Sequence, residues 1–165
     1  MTADGLSLTS DSLERTSAIG AAIGRCLRPG HVIRLYGELG AGKTAFVRAL
    51  ARGIGLDTGL VNSPTYTIAN EYRGEHAMLL HIDAYRIDDA DETLDQIGLW
   101  DAIEGGAIVC IEWPERLGDA IMGADLDVTI AHAGPDTREI TLTGRLVGEH
   151  AEVWQRSLEN QGDER

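Results

Sequence analysis

One lysine occurs in this chain, and it lies inside the octapeptide Gly37-Glu38-Leu39-Gly40-Ala41-Gly42-Lys43-Thr44. The segment fits G-x-x-x-x-G-K-[ST], the phosphate-binding Walker A loop. Of the 14 Lys+Arg residues all but Lys43 are arginine, so the exception is informative. A planar guanidinium is too bulky for the slot between the β- and γ-phosphates, where a slim ammonium acts as a point charge. Residues 31–36 read as a short strand entering the loop. Residues 44–54 read as the helix that follows, with Phe46, Val47, Leu50 and Ile54 at helical spacing. Strand, glycine loop and helix together aim backbone N–H groups and the positive helix end at an anion. This arrangement predicts a nucleoside-triphosphate site.

A chain of 165 residues is long enough for one domain with a real core. The hydrophobic share of 43% and the 20 glycines fit an α/β protein rather than a disordered chain. No apolar run approaches the roughly 18 residues needed to span a membrane, and the polar N-terminus has no signal-peptide pattern. Cys26 and Cys110 sit in apolar surroundings and read as buried free thiols, which points to the cytoplasm. Net charge is −13, and it is unevenly placed. Between Asp83 and Glu104 eight acids face Arg86 alone, more than half of the chain's net charge. Such a surface repels nucleic-acid backbone. It is either a solvated helix face or a docking face for a basic protein partner.

The pattern along the chain predicts a single P-loop NTPase-type α/β domain, a mixed parallel and antiparallel sheet flanked by helices. Residues 1–10 read as a flexible leader, 11–148 as the P-loop ATPase domain and 149–165 as a C-terminal helix and tail. Asp11, with Glu14 three residues on, reads as the cap of a first helix whose apolar face carries Leu13, Ile19, Ile23 and Cys26 or Leu27. Pro29-Gly30 ends it. Residues 65–72 and 77–83 read as an antiparallel hairpin turning at Gly74, and 91–106 as a short helical region. Residues 107–112 are almost all apolar, the mark of a strand buried on both faces. Residues 126–132 and 139–146 read as a second hairpin, and 149–159 as a terminal helix.

A triphosphate site needs magnesium, which takes hard oxygen ligands and retains several waters. Thr44 supplies the loop hydroxyl. A carboxylate at the end of an apolar strand should supply the second ligand, and Glu112 and Asp83 compete for that place. Either could instead cap the turn that follows it. Both strands deliver their acids to the sheet edge where ligands of open α/β sheets bind. Ser63-Pro64-Thr65 stands where many phosphate-loop proteins place a switch sensing the γ-phosphate, or is a plain turn. His81 and Asp83 alternate on an extended segment; with no third ligand in view, His81 reads as a strand histidine bonded to a neighbour. Arg86 pairs with local acids or with phosphate. Trp113, held between Glu112 and Pro114, is a core aromatic, a lid over the nucleotide or part of a partner contact.

Residues 37–44, Asn-Ser-Pro-Thr-Tyr-Thr-Ile at 62–68, Asn-Glu-Tyr at 70–72, His-Ile-Asp-Ala-Tyr-Arg at 81–86 and Ile-Glu-Trp-Pro-Glu-Arg at 111–116 form a set. In this order and spacing the chain closely resembles the TsaE family, small bacterial ATPases needed to make threonylcarbamoyladenosine in tRNA. The resemblance runs from the first helix to the second hairpin. It implies that Glu38, Leu39, Gly40, Ala41, Gly42, Lys43, Thr44 and Ala45 hold ATP phosphates, and that Thr44 and Glu112 ligate Mg2+. It also implies that Asp83 and Lys43 serve hydrolysis, with Thr65 in a nucleotide-sensitive switch over 63–67. Trp113 would sit close to the nucleotide, and Leu13, Thr16, Thr137 and Arg138 would form the base pocket. The implied partner is the two-subunit tRNA threonylcarbamoyl transferase, so that tRNA is met only indirectly and no membrane is involved.

Two other classes of function fit parts of the pattern. A small-molecule kinase would close an arginine-bearing lid over the phosphates, but no insertion long enough for a lid follows Arg48 and Arg52. A non-catalytic, nucleotide-dependent binding module would keep the loop and lack turnover. The absence of an Asn-Lys-x-Asp guanine-reading motif favours ATP over GTP.

Overall fold

The computed structural model of the chain describes residues 5–61, 68–121 and 123–160. The expected switch over 63–67, Thr65 included, lies outside the described residues. In chain order the elements are β1 (Leu6–Ser10), α1 (Leu13–Gly24), β2 (Val32–Tyr36), α2 (Lys43–Ile54), β3 (Ala69–Arg73) and β4 (Met78–Asp83). Then follow α3 (Ala90–Gln96), α4 (Leu99–Glu104), β5 (Ile108–Glu112), β6 (Leu126–His132), β7 (Arg138–Thr143) and α5 (Arg145–Asn160). Short 3-10 turns occupy Ala84–Arg86 and Pro114–Ala120.

The strands form one seven-stranded sheet in the order β1-β7-β6-β2-β5-β4-β3. Its centre, β6-β2-β5-β4, is parallel, and β1, β7 and β3 add antiparallel edges. This is the mixed α/β sheet expected from the sequence. Alternation along β4 and β5 divides the core between its two faces. Leu79, Ile108 and Cys110 pack with Ile23 of α1, Phe46 and Leu50 of α2 and Trp154 of α5. Leu80, Ile82, Val109 and Ile111 pack on the other face with Leu94, Leu99 and Leu117. His81 and Glu112, in step with Leu79 and Cys110, therefore belong to the face covered by α2. Every residue of β5 is buried, as its apolar run predicts.

Several local expectations need correction. Residues 6–10 are not a leader: β1 pairs antiparallel with β7, and Leu6 and Ser10 are buried. Its polar composition, Leu-Ser-Leu-Thr-Ser, hid a strand whose ends face inward. The α1 cap is Ser12, whose hydroxyl accepts from the Arg15 N–H at 3.1 Å, rather than Asp11. The helical region over 91–106 is two helices, broken where Gly98 adopts φ +68°. The last helix begins at Arg145 instead of 149, and it belongs to the domain because Leu146, Trp154 and Leu158 are buried in the α1–α2 cluster.

Helices α1 and α2 pack closely because glycines face each other. A Cβ on Gly53 would lie 2.2 Å from the Ala21 carbonyl oxygen, and one on Gly24 would lie 2.3 Å from that of Leu50. That approach sets the start of α1 beside the start of α2, where the site is built.

Candidate functional site

Four central strands end at one edge of the sheet, and each delivers part of the site there. β2 runs into the glycine loop. Gly37 is required at its start, since a Cβ there would meet the Ile130 carbonyl oxygen of β6 at 2.6 Å, and its φ is +155°. Gly42 opens α2 at φ +107°, with no side-chain cap and no acid in the first turn. The leading N–H groups of this helix are thus left for an outside anion, with the positive helix end behind them.

Lys43 is buried to 5% exposure. Its ammonium donates to the carbonyls of Gly37 at 2.6 Å and Glu38 at 3.0 Å. Burial holds its pKa below the usual lysine value, while Glu112, Glu115 and Asp83 pull it back up. The Trp113 ring covers the ammonium, centroid to nitrogen 4.0 Å, and Tyr85 packs on Trp113 at 5.0 Å. Trp113 is the only non-glycine residue at positive φ among the described residues, with φ 57° and ψ 47°. It also precedes a proline, which disfavours helical backbone at that position. Strain of this kind persists where surrounding contacts over-determine it. Here those contacts are Lys43 and Tyr85.

Thr44, next along α2, donates its hydroxyl to both carboxylate oxygens of Glu112, at 3.2 and 3.1 Å. Glu112 is 3% exposed and is also bonded to His81, Nε2 to Oε2, at 2.5 Å. Asp83 is the register partner of Glu112 on the adjacent strand. Its carboxylate accepts from the Tyr85 N–H at 3.1 Å and so caps the Ala84–Arg86 turn. The structure brings Glu112 against Thr44 and gives Asp83 a turn-capping contact at the same sheet edge. Among the described residues no group of three or more His, Cys, Asp or Glu side chains is placed to hold a metal by itself. His81 turns to Glu112, as a strand histidine bonded to a neighbour.

Beside the loop lies a cavity of about 570 Å³, within the size range of small-molecule sites. Leu13 and Thr16 from α1, Gly40, Ala41, Gly42 and Ala45 from the loop and α2, and Arg138 from β7 line it, as do Ser12 and Asp136. Leu13 does not join the core face of α1; it is 78% exposed at the rim of this cavity. Thr16 is held by a 2.7 Å hydroxyl contact with the buried Ser10. Arg138 donates to the Ala41 carbonyl at 3.2 Å and to that of Thr137 at 3.0 Å, tying the β6–β7 turn to the loop. Asp136 and Arg138 line the cavity, and Thr137 between them does not. The sequence reading missed Asp136, Ser12 and the Tyr85 ring on Trp113. The outer position of Tyr85 in the His-Ile-Asp-Ala-Tyr-Arg segment was the one signal available for it.

The sheet edge therefore offers a helix start without a side-chain cap, one buried ammonium, a hydroxyl paired with a carboxylate and an adjoining cavity. That donor set fits the phosphates, the hard cation and the base of a nucleoside triphosphate. Comparison with known proteins gives a consistent result. The family model described as threonylcarbamoyl adenosine biosynthesis protein TsaE matches residues 10–140. The tRNA threonylcarbamoyladenosine biosynthesis protein TsaE of Bacillus subtilis is 40% identical over 130 residues, covering 79% of this chain and 80% of that protein. The protein of the same name from Treponema pallidum is 35% identical over 133 residues, covering 81% and 96%. The crystal structure of Bacillus subtilis YdiB superposes with a TM-score of 0.69 at 30% identity, covering 96% of each chain.

Proposed function

Because the chain belongs to the TsaE family of threonylcarbamoyl adenosine biosynthesis proteins, we propose that it binds ATP with Mg2+ at the α2 start and hydrolyses it slowly in service of the tRNA-modifying transferase. The observation that carries this reading is the Thr44–Glu112 pair, a hydroxyl and a buried carboxylate 3.1–3.2 Å apart at the mouth of a Walker A loop. Glu112 ends a fully buried strand, and its charge is costly there without hydrogen-bonding partners or a cation.

In this reading the amides over 38–45 and the Lys43 ammonium bind the phosphates. Thr44 and Glu112 hold the magnesium, and Asp83 serves hydrolysis. Magnesium, when bound, offsets phosphate charge and fixes phosphate geometry. Lys43 has two of its three N–H donors on the Gly37 and Glu38 carbonyls, which leaves the third for a phosphate, and Trp113 covers the ammonium. The cavity between α1, the loop and Arg138 takes the base and ribose. The partner is the two-subunit tRNA threonylcarbamoyl transferase, with tRNA met only through it. No helix among the described residues is long and apolar enough to cross a membrane.

The test is ATP turnover by the purified chain, with and without the transferase pair, beside the same assay in EDTA. Slow magnesium-dependent turnover that the pair alters supports the reading. Binding without turnover under every condition leaves a nucleotide-dependent binding module instead. Transfer of the γ-phosphoryl group to a small acceptor makes the chain a kinase.

A further inference from the structure

His81 is a fully buried polar side chain that the proposed chemistry does not use: its exposure is 0%. It stands on β4 opposite Cys110 of β5, two residues before the Asp83–Glu112 register pair, and it faces the α2 side of the sheet. One ring nitrogen, Nε2, meets Glu112 Oε2 at 2.5 Å. The other, Nδ1, is buried with no hydrogen-bond partner among the described residues. Buried N–H groups without an acceptor are rare, whereas under-satisfied acceptors are less so. A proton on Nε2, donated to the carboxylate, leaves Nδ1 as the under-satisfied acceptor, the less costly of the two arrangements.

We propose that His81 is a positioning residue for Glu112, anchoring Oε2 by a single Nε2–H bond so that Oε1, which His81 does not hold, stays available to a hard cation beside Thr44. This rests on the Mg·ATP reading above. A glutamate side chain has three rotatable bonds, and the Thr44 hydroxyl is shared between both carboxylate oxygens, so that contact alone does not fix the carboxylate plane. The imidazole adds a second anchor, on Oε2, from a fully buried ring, and the two contacts together hold the carboxylate. It also offsets the cost of burying the carboxylate before any cation arrives. The partner of a ligating group sets ligand orientation, and its loss typically lowers metal affinity by about 10- to 100-fold.

The test compares wild type with His81→Gln, which can still present a side-chain N–H toward Glu112, and His81→Leu, which cannot. Binding of the non-hydrolysable analogue AMP-PNP is followed by calorimetry in EDTA and across a magnesium titration, with thermal unfolding to establish that each variant is folded. In His81→Leu the half-saturating magnesium concentration should rise by about tenfold or more while metal-free binding stays within about twofold; His81→Gln should keep both within about threefold. Long-range 1H–15N spectra of wild-type imidazoles should show His81 protonated at Nε2 alone, an outcome independent of any variant. If His81→Leu does not fold, His81→Asn, whose amide is too short to reach Oε2, takes its place. An unchanged magnesium dependence in His81→Leu or its substitute, equal damage from His81→Gln, or an Nδ1–H tautomer overturns the proposal alone. Absence of magnesium-dependent binding in the wild type overturns the Mg·ATP reading, and the proposal with it.

Discussion

The ammonium of Lys43 lies 4.0 Å from the centroid of the Trp113 ring while donating to two carbonyls of its own loop. The single lysine of the chain is thus parked, under an aromatic cover held in left-handed backbone just before a proline. An arriving phosphate takes the third N–H donor of the ammonium or displaces those carbonyls, and either changes the environment of the indole. Lys43→Ala should weaken ATP binding by at least about tenfold, or about 1.4 kcal/mol, read by calorimetry. Trp113 emission should change on ATP addition, and Trp113→Phe should lose that part of the signal. Wild-type affinity in Lys43→Ala would remove the phosphate site.

Glu112 and Asp83 are register partners with different surroundings. Glu112 is buried against Thr44 and His81, while the Asp83 carboxylate caps a turn. Glu112→Ala should weaken magnesium-dependent ATP binding, since a hard oxygen ligand is lost. Asp83→Ala should spare binding and depress turnover. Binding and single-turnover rates measured on both variants decide between the roles, and exchanged phenotypes would reverse the assignment.

The close approach of α1 and α2 predicts a stability cost with little chemistry attached. A methyl group on Gly53 would press on the Ala21 carbonyl at 2.2 Å, where only backbone movement can relieve it. Gly53→Ala should destabilise by about 1–3 kcal/mol, the usual cost of overpacking. For a domain of this size each kcal/mol lowers the melting temperature by about 2–4 °C. A melting temperature equal to or above wild type would mean that the helices separate freely.

The sheet and the loop were legible in the sequence because they rest on local chemistry. Gly37 and Gly42 adopt backbone that other residues resist, and the apolar run of β5 demands burial on both faces. The features misread depend on contacts distant in sequence. β1 is recognisable only through β7, more than a hundred residues away. The place of α5 in the core rests on Trp154 and Leu158 meeting α1 and α2. In the candidate site, Thr44 and Glu112 could be named from their positions at a helix start and a strand end. That His81 bonds Glu112 could not, because the register of β4 against β5 has no mark in either strand alone.

Asp125 predicts how stability follows pH. Its Oδ2 accepts from the Val32 N–H at 2.8 Å and its Oδ1 from Arg145 at 2.6 Å, joining the starts of β2, β6 and α5. Burial pushes its pKa up, but the Val32 and Arg145 hydrogen bonds together with nearby His31 outweigh that and leave it below the ordinary aspartate value. A depressed folded pKa contributes stability that is present above the unfolded value, about 3.9, and is lost as pH falls through the folded one. Asp125→Asn should cost about 1–3 kcal/mol at neutral pH, and the gap from wild type should close in acid below about pH 4. Denaturant titrations at several pH values measure this, and a gap that widens in acid would contradict it.

The acidic stretch offers a prediction about partners. Asp88, Asp91, Glu92, Asp95, Asp101 and Glu104 are exposed around α3 and α4, and Trp100 stands among them 48% exposed. Asp89 is different in kind, because its carboxylate caps α3 by accepting from the Glu92 N–H at 3.0 Å. A face so charged, carrying a large aromatic, suits a basic protein surface with an apolar socket better than a phosphate backbone. Its association with the transferase pair should weaken as salt rises, exposed charges being screened over about 10 Å at 0.1 M. Asp88→Lys, Asp91→Lys and Asp101→Lys together should lower that association while leaving ATP binding and the α3 cap intact. Trp100→Ala should lower it further, with less dependence on salt, since the loss is of apolar contact. If the charge-reversed protein binds the pair as wild type does across the salt series, the stretch is a solvated face and the docking surface lies elsewhere.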